Sequence, residues 1–473
     1  MEITVTQSGL YLEQMYTGCL AEAAYYIESQ GEVAIIDPMR ETEPYISKAQ
    51  ARGAQIKYVF ETHFHADFVS GHVDLANKTA ARIIYGPQAQ TSYEATIAED
   101  GQEFQLGDIR FRVIHTPGHT PESSCFLLIN ERGAPHAVFT GDTLFIGEVG
   151  RPDLAIKSDL TREDLAGMLY DSLHDKLMTL PDEVIVFPAH GAGSACGKNI
   201  SQERSSTIGL QKQLNYALQP MSKQAFVEKV TTGILPAPQY FAKAAALNKH
   251  GYHDIDELLQ SRTQPLSVED VINAQREGAL ILDTRTTESF AQGYIPNSLF
   301  IGLDGSFASW VGTLIEDLDQ PIVVITASGR EQEAILRLAR VGYSNALGYL
   351  KGGIDAWTAE GMSTEQLASI QAEELAQLYL QTNIQVLDVR KPGEYEADHV
   401  QNAISYPLDF INAHLADLEA DKPYYVHCKS GFRSMIAASV LKRAGYEEVI
   451  NVDGGIMALE ETNIPRQLSA CSN

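Results

Sequence analysis

Two histidines and an aspartate alternate in the stretch Thr62–Phe68, whose residues are Thr-His-Phe-His-Ala-Asp-Phe. The preceding residues Lys57–Phe60 are aromatic and β-branched, which predicts a buried strand. Because side chains of extended chain alternate between two sides, His63, His65 and Asp67 should project in one direction. Removing two imidazoles and a carboxylate from water is costly unless something binds them. A divalent metal ion is the natural partner, so the stretch predicts a metal site at a strand end.

Length, charge and cysteine content narrow the class of protein. A chain of 473 residues predicts roughly two to four domains. Its formal net charge of −27 argues against nucleic acid and anionic membrane surfaces as partners. Residues 1–5 show no signal or transit pattern, and no apolar run reaches bilayer-spanning length. Five widely spaced cysteines favour free thiols in a reducing, cytoplasmic setting: Cys19, Cys125, Cys196, Cys428 and Cys471.

Three more polar clusters follow strand-like runs in the first 250 residues. His119 follows a Pro-Gly turn, Asp142 follows a glycine at a strand end, and His190 follows the apolar run Val184–Pro188. Any one of these is more often a hydrogen-bonded loop residue than a metal ligand. Four clusters at strand ends, with helical patterns between the strands, instead predict a layered structure whose ligands meet at one edge.

The order of these motifs over about the first half of the chain resembles the metallo-β-lactamase superfamily. The resemblance implies an αββα sandwich, which we place at residues 1–250. In hydrolases of that superfamily the first motif ends in Asp-His, and that histidine helps to hold a second metal. Phe68 stands at that position here. A phenyl ring cannot bind a metal, so a full second site is not expected.

Within the superfamily, the persulfide dioxygenases use the positions of His63, His119 and Asp142, and residues 147–154 also look like that branch. Two imidazoles and one carboxylate form the facial triad of non-haem Fe(II), which leaves positions open for oxygen and substrate. The resemblance implies one Fe(II) per chain and O2 as co-substrate. By the same resemblance, three further residues orient the ligands and tune the metal without binding it: His65, Asp67 and His190.

Cys196 lies in the glycine-rich segment Gly191–Gly197, directly after His190. If His190 lies at the metal site, this flexible segment brings the thiol close to the site. A free cysteine in apolar surroundings is usually inert. We nevertheless include Cys196 among the candidate substrate-binding residues, because it is placed to handle sulfur.

The second half of the chain repeats itself. Proline-containing segments at Leu235–Pro238 and Arg262–Pro265 indicate the end of the first domain and a linker. Beyond them the sequence repeats with a period of about one hundred residues, and Leu282–Arg285 corresponds to Leu387–Arg390. Each half alternates buried strands with helices. The repeat therefore predicts two small α/β domains with parallel sheets.

Both halves resemble rhodanese (sulfurtransferase) domains, at residues 264–362 and 366–473. In the second, a buried strand leads to Cys428 and a tight loop that opens a helix. Backbone N–H groups and the helix N-terminus form a cradle that stabilises a thiolate, a bound persulfide or sulfite. Four residues separate Cys428 from Arg433, the loop length of sulfurtransferases and not of related phosphatases. We predict that Cys428 and Arg433 are catalytic. The enclosed residues are predicted to bind substrate: Lys429, Ser430, Gly431 and Phe432.

The first repeat departs from this pattern. Its equivalent segment is Val324–Arg330, and no cysteine occurs between Cys196 and Cys428. Without a thiolate it cannot carry sulfane sulfur. We expect a structural or docking module, with a loop Ala327–Arg330 that is shorter or differently set.

The whole chain resembles bacterial multidomain persulfide dioxygenase–sulfurtransferases. The resemblance implies that the iron site oxidises a low-molecular-weight thiol persulfide to sulfite. Cys428 then transfers sulfane sulfur from another persulfide to sulfite, which gives thiosulfate in sulfide detoxification. Glutathione, coenzyme A, bacillithiol and cysteine are all compatible carriers, and a homo-oligomer is expected. A zinc thioesterase similar to glyoxalase II with an appended sulfurtransferase, or a sulfur-carrier protein with little turnover, is the alternative.

Overall fold

The computed structural model describes residues 4–7, 9–155, 160–234 and 236–469 of the chain. Residues 1–3, Leu235 and Cys471, which were named above, lie outside these ranges. The chain forms two compact units that divide between Leu258 and Leu259, with Ala339–Gly342 belonging to the first. Within the described ranges, no helix combines the length and apolar character needed to cross a membrane.

Two mixed β-sheets stack face to face in the first unit. The strands are β1 (Thr4–Gln7), β2 (Leu10–Thr17), β3 (Glu22–Ser29), β4 (Glu32–Ile36), β5 (Gln55–Glu61), β6 (Arg82–Tyr85), β7 (Thr96–Ile97), β8 (Glu103–Leu106), β9 (Ile109–His115), β10 (Ser124–Ile129), β11 (Pro135–Gly141), β12 (Ile185–Pro188) and β13 (Ser206–Thr207). One sheet has the order β1-β2-β3-β4-β5-β6-β7 and the other β13-β12-β11-β10-β9-β8.

Aromatic side chains from both sheets fill the space between them. Phe60 of the first sheet meets Phe111 of the second with ring centroids 5.0 Å apart, and Tyr25 meets Phe139 at 4.8 Å. Phe139 in turn stacks on Phe187 at 5.5 Å. Such pairs add about 0.5–1.5 kcal/mol each to the stabilisation from area burial. This core holds the two sheets in a fixed register, and with it the strand ends that carry the polar clusters.

Helices cover the outer faces of both sheets. They are α1 (Glu43–Ala51), α2 (His72–Thr79), α3 (Arg162–Asp171), α4 (Ile208–Leu214), α5 (Lys223–Thr231), α6 (Phe241–His250) and α7 (Ile255–Arg262), with short helical turns at Ser172–Lys176, Leu177–Thr179 and Tyr216–Leu218. Tyr45 and Leu75 pack on the seven-stranded sheet, and Leu169 and Phe226 on the six-stranded one. The predicted αββα sandwich is therefore confirmed.

The cysteine-free repeat opens the second unit. Its elements are β14 (Pro265–Leu266), α8 (Val268–Arg276), β15 (Leu280–Asp283), α9 (Thr287–Gln292), β16 (Leu299–Phe300), α10 (Phe307–Leu314), β17 (Ile322–Ile325), α11 (Glu331–Ala339), β18 (Ala346–Leu350) and α12 (Gly353–Ala359). All its strand pairings are parallel, in the order β14-β18-β17-β15-β16.

The repeat that contains Cys428 has the same arrangement. Its elements are β19 (Ala368–Ile370), α13 (Ala372–Gln381), β20 (Gln385–Asp388), α14 (Pro392–Ala397), β21 (Asp398–Val400), β22 (Ile404–Ser405), α15 (Ile411–His414), β23 (Tyr424–His427), α16 (Phe432–Arg443), β24 (Val449–Val452), α17 (Gly455–Leu459) and β25 (Arg466–Leu468), with helical turns at Leu408–Phe410 and Leu415–Asp417. The parallel sheet has the order β19-β24-β23-β20-β22, and β21 pairs antiparallel with β25. The predicted pair of α/β domains with parallel sheets is confirmed.

The repeated Leu-Asp-x-Arg motif builds the same ion pair twice. Asp283 and Asp388 end equivalent strands and are fully buried. Each carboxylate accepts hydrogen bonds from the arginine two residues later, Arg285 or Arg390, at 2.6 Å from the nearer guanidinium nitrogen. A buried carboxylate is tolerated only when it is paired in this way. The two domains therefore share their framework, and differences between them lie in the loops.

Candidate functional site

The polar clusters of the first unit meet where strands end at one edge of the sandwich. His63 follows β5, His119 follows β9, and Asp142 follows β11. The Nε2 atoms of His63 and His119 lie 3.9 and 3.3 Å from Oδ2 of Asp142. All three side chains are buried. The fold thus brings together two imidazoles and one carboxylate that are far apart in the sequence.

Hydrogen bonds fix which ring nitrogen of each histidine faces this centre. The Thr62 hydroxyl donates to Oδ2 of Asp37 at 2.8 Å, so it can only accept from Nδ1 of His63, which lies 3.0 Å away. The backbone carbonyl of Arg151 lies 2.9 Å from Nδ1 of His119 and likewise can only accept. Both Nδ1 atoms therefore carry the proton, and both Nε2 atoms present a lone pair.

The donor set fits a metal ion. Both carboxylate oxygens of Asp142 and Nε2 of His63 are buried without a hydrogen-bond partner among the described residues. Leaving such atoms unpartnered costs about 1–3 kcal/mol each. Burial, together with His65, His119 and His190, holds the pKa of His63 well below its usual range, so the ring stays neutral, the form that ligates metals. One ligand atom each of His63, His119 and Asp142 lies within 4.8 Å of the others.

The remaining motif residues surround this set. Nε2 of His190 lies 3.3 Å from Oδ2 of Asp67 and 3.5 Å from Oδ1 of Asp142. Nε2 of His65 lies 3.1 Å from Oδ1 of Asp37. Burial alone would lower the pKa of His65, but Asp37 and Glu61 raise it to about 9. One ligand atom each of Asp37, Glu61 and His65 also lies within 4.8 Å of the others.

Phe68 occupies the space next to this second group. Its ring is fully buried and lies 4.4 Å from the imidazole of His65, centroid to centroid. The ligand atoms of His65, Asp67 and His190 also lie within 4.8 Å of one another. Phe68 adds no ligand atom to that group, so it offers fewer donors than a complete second metal site would need.

Gly150 leaves room for the metal ligands. A Cβ at this position would lie 1.9 Å from the backbone oxygen of Asp142 and 3.0 Å from Nδ1 of His119. Neither atom belongs to a flexible side-chain end that could move aside. The glycine in the segment 147–154 therefore holds two candidate ligands at their observed positions.

We expect the Gly150→Ala substitution to lower bound metal about 10- to 100-fold at limiting metal, the loss typical when residues that orient ligands are changed. The added methyl group must push Asp142, His119 or both out of place. Metal content measured after dialysis, with thermal unfolding to confirm folding, checks this. Gly18→Ala is the matched control, since a Cβ there meets nothing within 4 Å. Native metal content in Gly150→Ala would contradict the assignment.

The glycine-rich segment does bring Cys196 to the metal ligands. Its sulfur lies within 4.8 Å of ligand atoms of Asp142 and His190, and the side chain is buried. Burial, with the nearby Asp67 and Asp142 carboxylates, raises the pKa of Cys196 well above its usual range. The thiol is therefore protonated near neutral pH, which is its less nucleophilic form.

A cleft of about 570 Å³ opens onto the metal ligands at His119. Its walls are largely small and apolar, with alanines from α6. Polar groups stand at its margin: Gln88, Gln90, Glu122, Lys249 and His250. An apolar channel with a few polar groups, one of them a lysine, suits a small molecule with an extended, partly charged body.

Cys428 lies at the end of β23, inside the predicted loop. The N–H of Gly431 donates to its sulfur at 3.2 Å, and the Ser434 hydroxyl lies 3.6 Å away. Gly431 reaches this position with a φ of +103°, which side-chain-bearing residues rarely adopt. Lys429 and Ser430 are exposed at the rim of the loop. The Ser434 hydroxyl is closer to Oδ1 of Asn451, at 2.7 Å, so the loop presents the Gly431 N–H as the donor to the sulfur.

Arg433 is paired with a residue that the sequence did not single out. Its guanidinium donates to both carboxylate oxygens of Glu394, at 2.7 and 2.9 Å. The pairing is bidentate and half-buried, the geometry in which an arginine is held most firmly. Arg433 is thus a fixed part of the loop wall, with its charge balanced by Glu394.

The equivalent loop of the cysteine-free repeat has the same length, so of our two alternatives, a shorter loop or one differently set, the first is wrong. Counted from the ends of the paired strands β17 and β23, Thr326 stands where Cys428 does. Gly329 has a φ of +86° at the position of Gly431. Oγ1 of Thr326 is nevertheless buried without a hydrogen-bond partner among the described residues, whereas the Cys428 sulfur accepts from the Gly431 N–H. Glu331 also occupies the position of Arg433.

Comparison with known proteins assigns both units. A family model for the metallo-beta-lactamase superfamily matches residues 17–190, and one for the rhodanese-like domain matches residues 267–360 and 371–462. The mitochondrial persulfide dioxygenase ETHE1 of Bos taurus is 30% identical over 223 residues, which cover 46% of this chain and 78% of that protein. The chain belongs to the metallo-β-lactamase superfamily. It is a member that carries two rhodanese-like domains, as the motifs predicted.

Two further comparisons extend the superfamily assignment. The cytoplasmic hydroxyacylglutathione hydrolase of Arabidopsis thaliana is 32% identical over 177 residues, covering 36% of this chain and 65% of that protein. The crystal structure of a metallo-β-lactamase from Staphylococcus aureus subsp. aureus COL matches with a TM-score of 0.64 and 30% identity. That match covers 73% of this chain and 99% of the other. Within the superfamily the chain thus resembles both oxygenases and hydrolases.

Proposed function

We propose that the chain is an Fe(II) persulfide dioxygenase coupled to a thiosulfate-forming sulfurtransferase. The observation that carries the proposal is the donor set His63, His119 and Asp142, which is complete for one metal while Phe68 supplies nothing for a second. Two imidazoles and a carboxylate favour non-haem Fe(II). Similarity to a relative named persulfide dioxygenase supports the same activity.

The oxidation uses atoms that the proposed substrates supply. A thiol persulfide, O2 and water give the thiol, sulfite and two protons, with the outer sulfur oxidised and O2 reduced. When bound, Fe(II) supplies the activation of O2 that this reaction needs. The chain itself holds the imidazoles of His63 and His119 through Thr62 and the Arg151 carbonyl. It also supplies a cleft with small, largely apolar walls beside His119.

The sulfur transfer takes place at Cys428. Its thiolate attacks the outer sulfur of a second persulfide, and the S–S bond of that persulfide breaks. The proton of the persulfide passes to the carrier sulfur, which leaves as the thiol. Sulfite then attacks the new Cys428 persulfide, which releases thiosulfate and restores the thiolate. The Gly431 N–H stabilises negative charge on the sulfur in both steps.

A hydrolase is the second candidate function. The group His65, Asp67 and His190 retains three donors beside the first metal set, and the Arabidopsis thaliana relative is a hydroxyacylglutathione hydrolase. Zinc at the first set would then activate a water for attack on a thioester carbonyl. The two candidates differ in metal, co-substrate and product, so they can be separated directly.

Metal analysis combined with two assays tests the proposal. Full-length protein loaded with Fe(II) should bind one iron per chain and consume O2 with a thiol persulfide. Protein loaded with zinc should neither bind iron nor consume O2 with a thiol persulfide. Thioester hydrolysis by the zinc form, with no oxygen uptake by the iron form, would establish the hydrolase instead.

Installing a thiol in the cysteine-free repeat should not create a second transfer site. In the Cys428→Ser background, we expect Thr326→Cys to recover less than about a hundredth of native sulfur transfer. Oγ1 of Thr326 has no hydrogen-bond partner among the described residues, and Glu331 occupies the position of Arg433, where a carboxylate disfavours a thiolate and an anionic acceptor. Thiosulfate formation from persulfide and sulfite measures this. The informative control is Thr326→Cys combined with Glu331→Arg in the same Cys428→Ser background. Native rates in Thr326→Cys without Glu331→Arg would contradict the assignment of this repeat as structural.

A further inference from the structure

Phe432, the first residue of α16, reaches across to the cysteine-free repeat. A Cβ at Gly305 would lie 2.8 Å from Cζ of this ring, and a Cβ at Gly302 would lie 3.2 Å from Cε2. The ring also meets Phe300 edge to face, with centroids 6.2 Å apart. We call Gly302 and Gly305 the glycine seat. Contacts this close leave no room for a side chain at Gly305 while Phe432 keeps its place.

Further contacts anchor the same helix to the same repeat. The N–H of Phe300 donates to the hydroxyl of Ser439 at 3.0 Å, and both residues are fully buried. One turn later, Nε of Arg443 donates to the carbonyl of Asn297 at 3.1 Å. With Phe432 these contacts fall along one side of α16, from its first residue to its last. The helix that opens at the Cys428 loop is therefore fixed along its length by the repeat that has no cysteine.

The position of Phe432 in the chain links the seat to the reacting sulfur. It lies between Gly431, whose N–H donates to the Cys428 sulfur, and Arg433, which is held by Glu394. Peptide geometry is stiff, so a backbone shift that the displaced ring imposes on Phe432 moves both neighbours. The glycine seat therefore influences the position of the groups around the sulfur without contacting the sulfur itself.

The cysteine-free repeat does not make the reciprocal contact. Arg330 occupies the position of Phe432 there, and it pairs with Asp304 and Glu333 of its own repeat. The crossing contact is therefore one-sided, from the Cys428 repeat onto its neighbour.

We propose that the glycine seat is a positioning surface for the Cys428 loop, and that this is the task of the cysteine-free repeat in sulfur transfer. The proposal rests on the proposed sulfurtransferase activity of Cys428. Phe432 and the seat set the direction of the Gly431 N–H and the wall formed by Arg433. They act through the loop, as positioning residues.

Gly305→Ala in the full-length, iron-loaded chain tests the proposal. We expect the rate of thiosulfate formation from persulfide and sulfite at saturation to fall about 10- to 100-fold, the scale expected for a displacement near 1 Å. Alkylation of Cys428 by iodoacetamide, followed by mass spectrometry of its peptide, should slow as well. Oxygen uptake should be unchanged. The double variant Gly305→Ala/Phe432→Leu, in which a shorter side chain replaces the ring, should restore at least half of the lost sulfur transfer. Leucine leaves space for the new methyl group.

Gly293→Ala is the matched control in the same repeat, since a Cβ there meets only Thr364 at an ordinary 3.7 Å. Native transfer and native alkylation in Gly305→Ala would overturn the proposal, as would a double variant no better than the single one. If Gly305→Ala does not fold, Phe432→Ala removes the ring without a clash, and native transfer in that variant would overturn it too. If the unsubstituted chain forms no thiosulfate, the proposed function is wrong, and Cys428 alkylation still decides the role of the seat.

Discussion

His63→Ala is expected to remove bound iron and to abolish oxygen uptake with a thiol persulfide. The loss should exceed the roughly 10- to 100-fold effect seen when residues that only orient ligands are changed. Its Nε2 faces Asp142 without another partner among the described residues, so the imidazole has no function in the fold that would explain its burial. Without this imidazole, only two of the three metal ligands remain at the site. Iron content and initial oxygen uptake on the same preparation measure the effect.

The same experiment separates ligands from their supports. Thr62→Val should give an intermediate defect, because it removes only the hydroxyl that fixes the His63 tautomer. His136→Ala, a histidine of β11 that belongs to neither ligand group, should keep native iron and activity. Two zinc ions bound per chain, with full persulfide turnover in the absence of iron, would show that the assignment of metal and ligands is wrong.

Cys428→Ser is expected to change the product without changing oxygen uptake. A serine hydroxyl is not ionised near neutral pH and cannot carry sulfane sulfur, so transfer should fall to background. The substitution is nearly isosteric, and the Gly431 N–H donor remains in place. Persulfide oxidation should continue and sulfite should accumulate where the native chain makes thiosulfate. Separation and quantification of sulfite and thiosulfate after a fixed uptake of oxygen measures the ratio.

Cys196→Ser is the informative partner of that variant. Cys196 lies beside the metal ligands, and its protonated thiol is poorly suited to nucleophilic attack. We expect it to keep thiosulfate formation at the native ratio. Undiminished thiosulfate formation in Cys428→Ser, lost only when Cys196 is also replaced, would move the transfer chemistry to the first unit.

Much of the fold and of both sites could be predicted from local sequence patterns. Strand periodicity followed by polar residues located His63 and Asp142, since ligands at strand ends leave short, ordered signatures. The internal repeat was visible because each Leu-Asp-x-Arg motif buries an ion pair that tolerates little change. These features are carried by residues close together in the chain.

Contacts between residues far apart in the chain could not be predicted from local sequence patterns. Nothing in the sequence near Arg433 indicates that Glu394, 39 residues earlier, holds its guanidinium. The helical spacing of apolar residues over 201–218 predicts one helix there, but α4 covers only Ile208–Leu214. Ser206 instead pairs with Val186 in the sheet, and Thr207 caps the helix through the N–H of Leu210. Tertiary pairing overrides local helix preference at such positions.

The altered loop of the cysteine-free repeat bears on whether this domain could regain catalysis during evolution. Relative to the Cys428 repeat, Thr326 replaces the nucleophile, Glu331 the arginine, and Ser289 stands at the position of Glu394. Restoring the thiol alone places it beside a carboxylate, and restoring the arginine alone leaves its charge without Glu394. Each single reversal is therefore of no benefit until the other two have occurred. The three replacements can accumulate one at a time, whereas their reversal is of benefit only when all three occur. Descendants of this chain should therefore keep one sulfur-carrying domain.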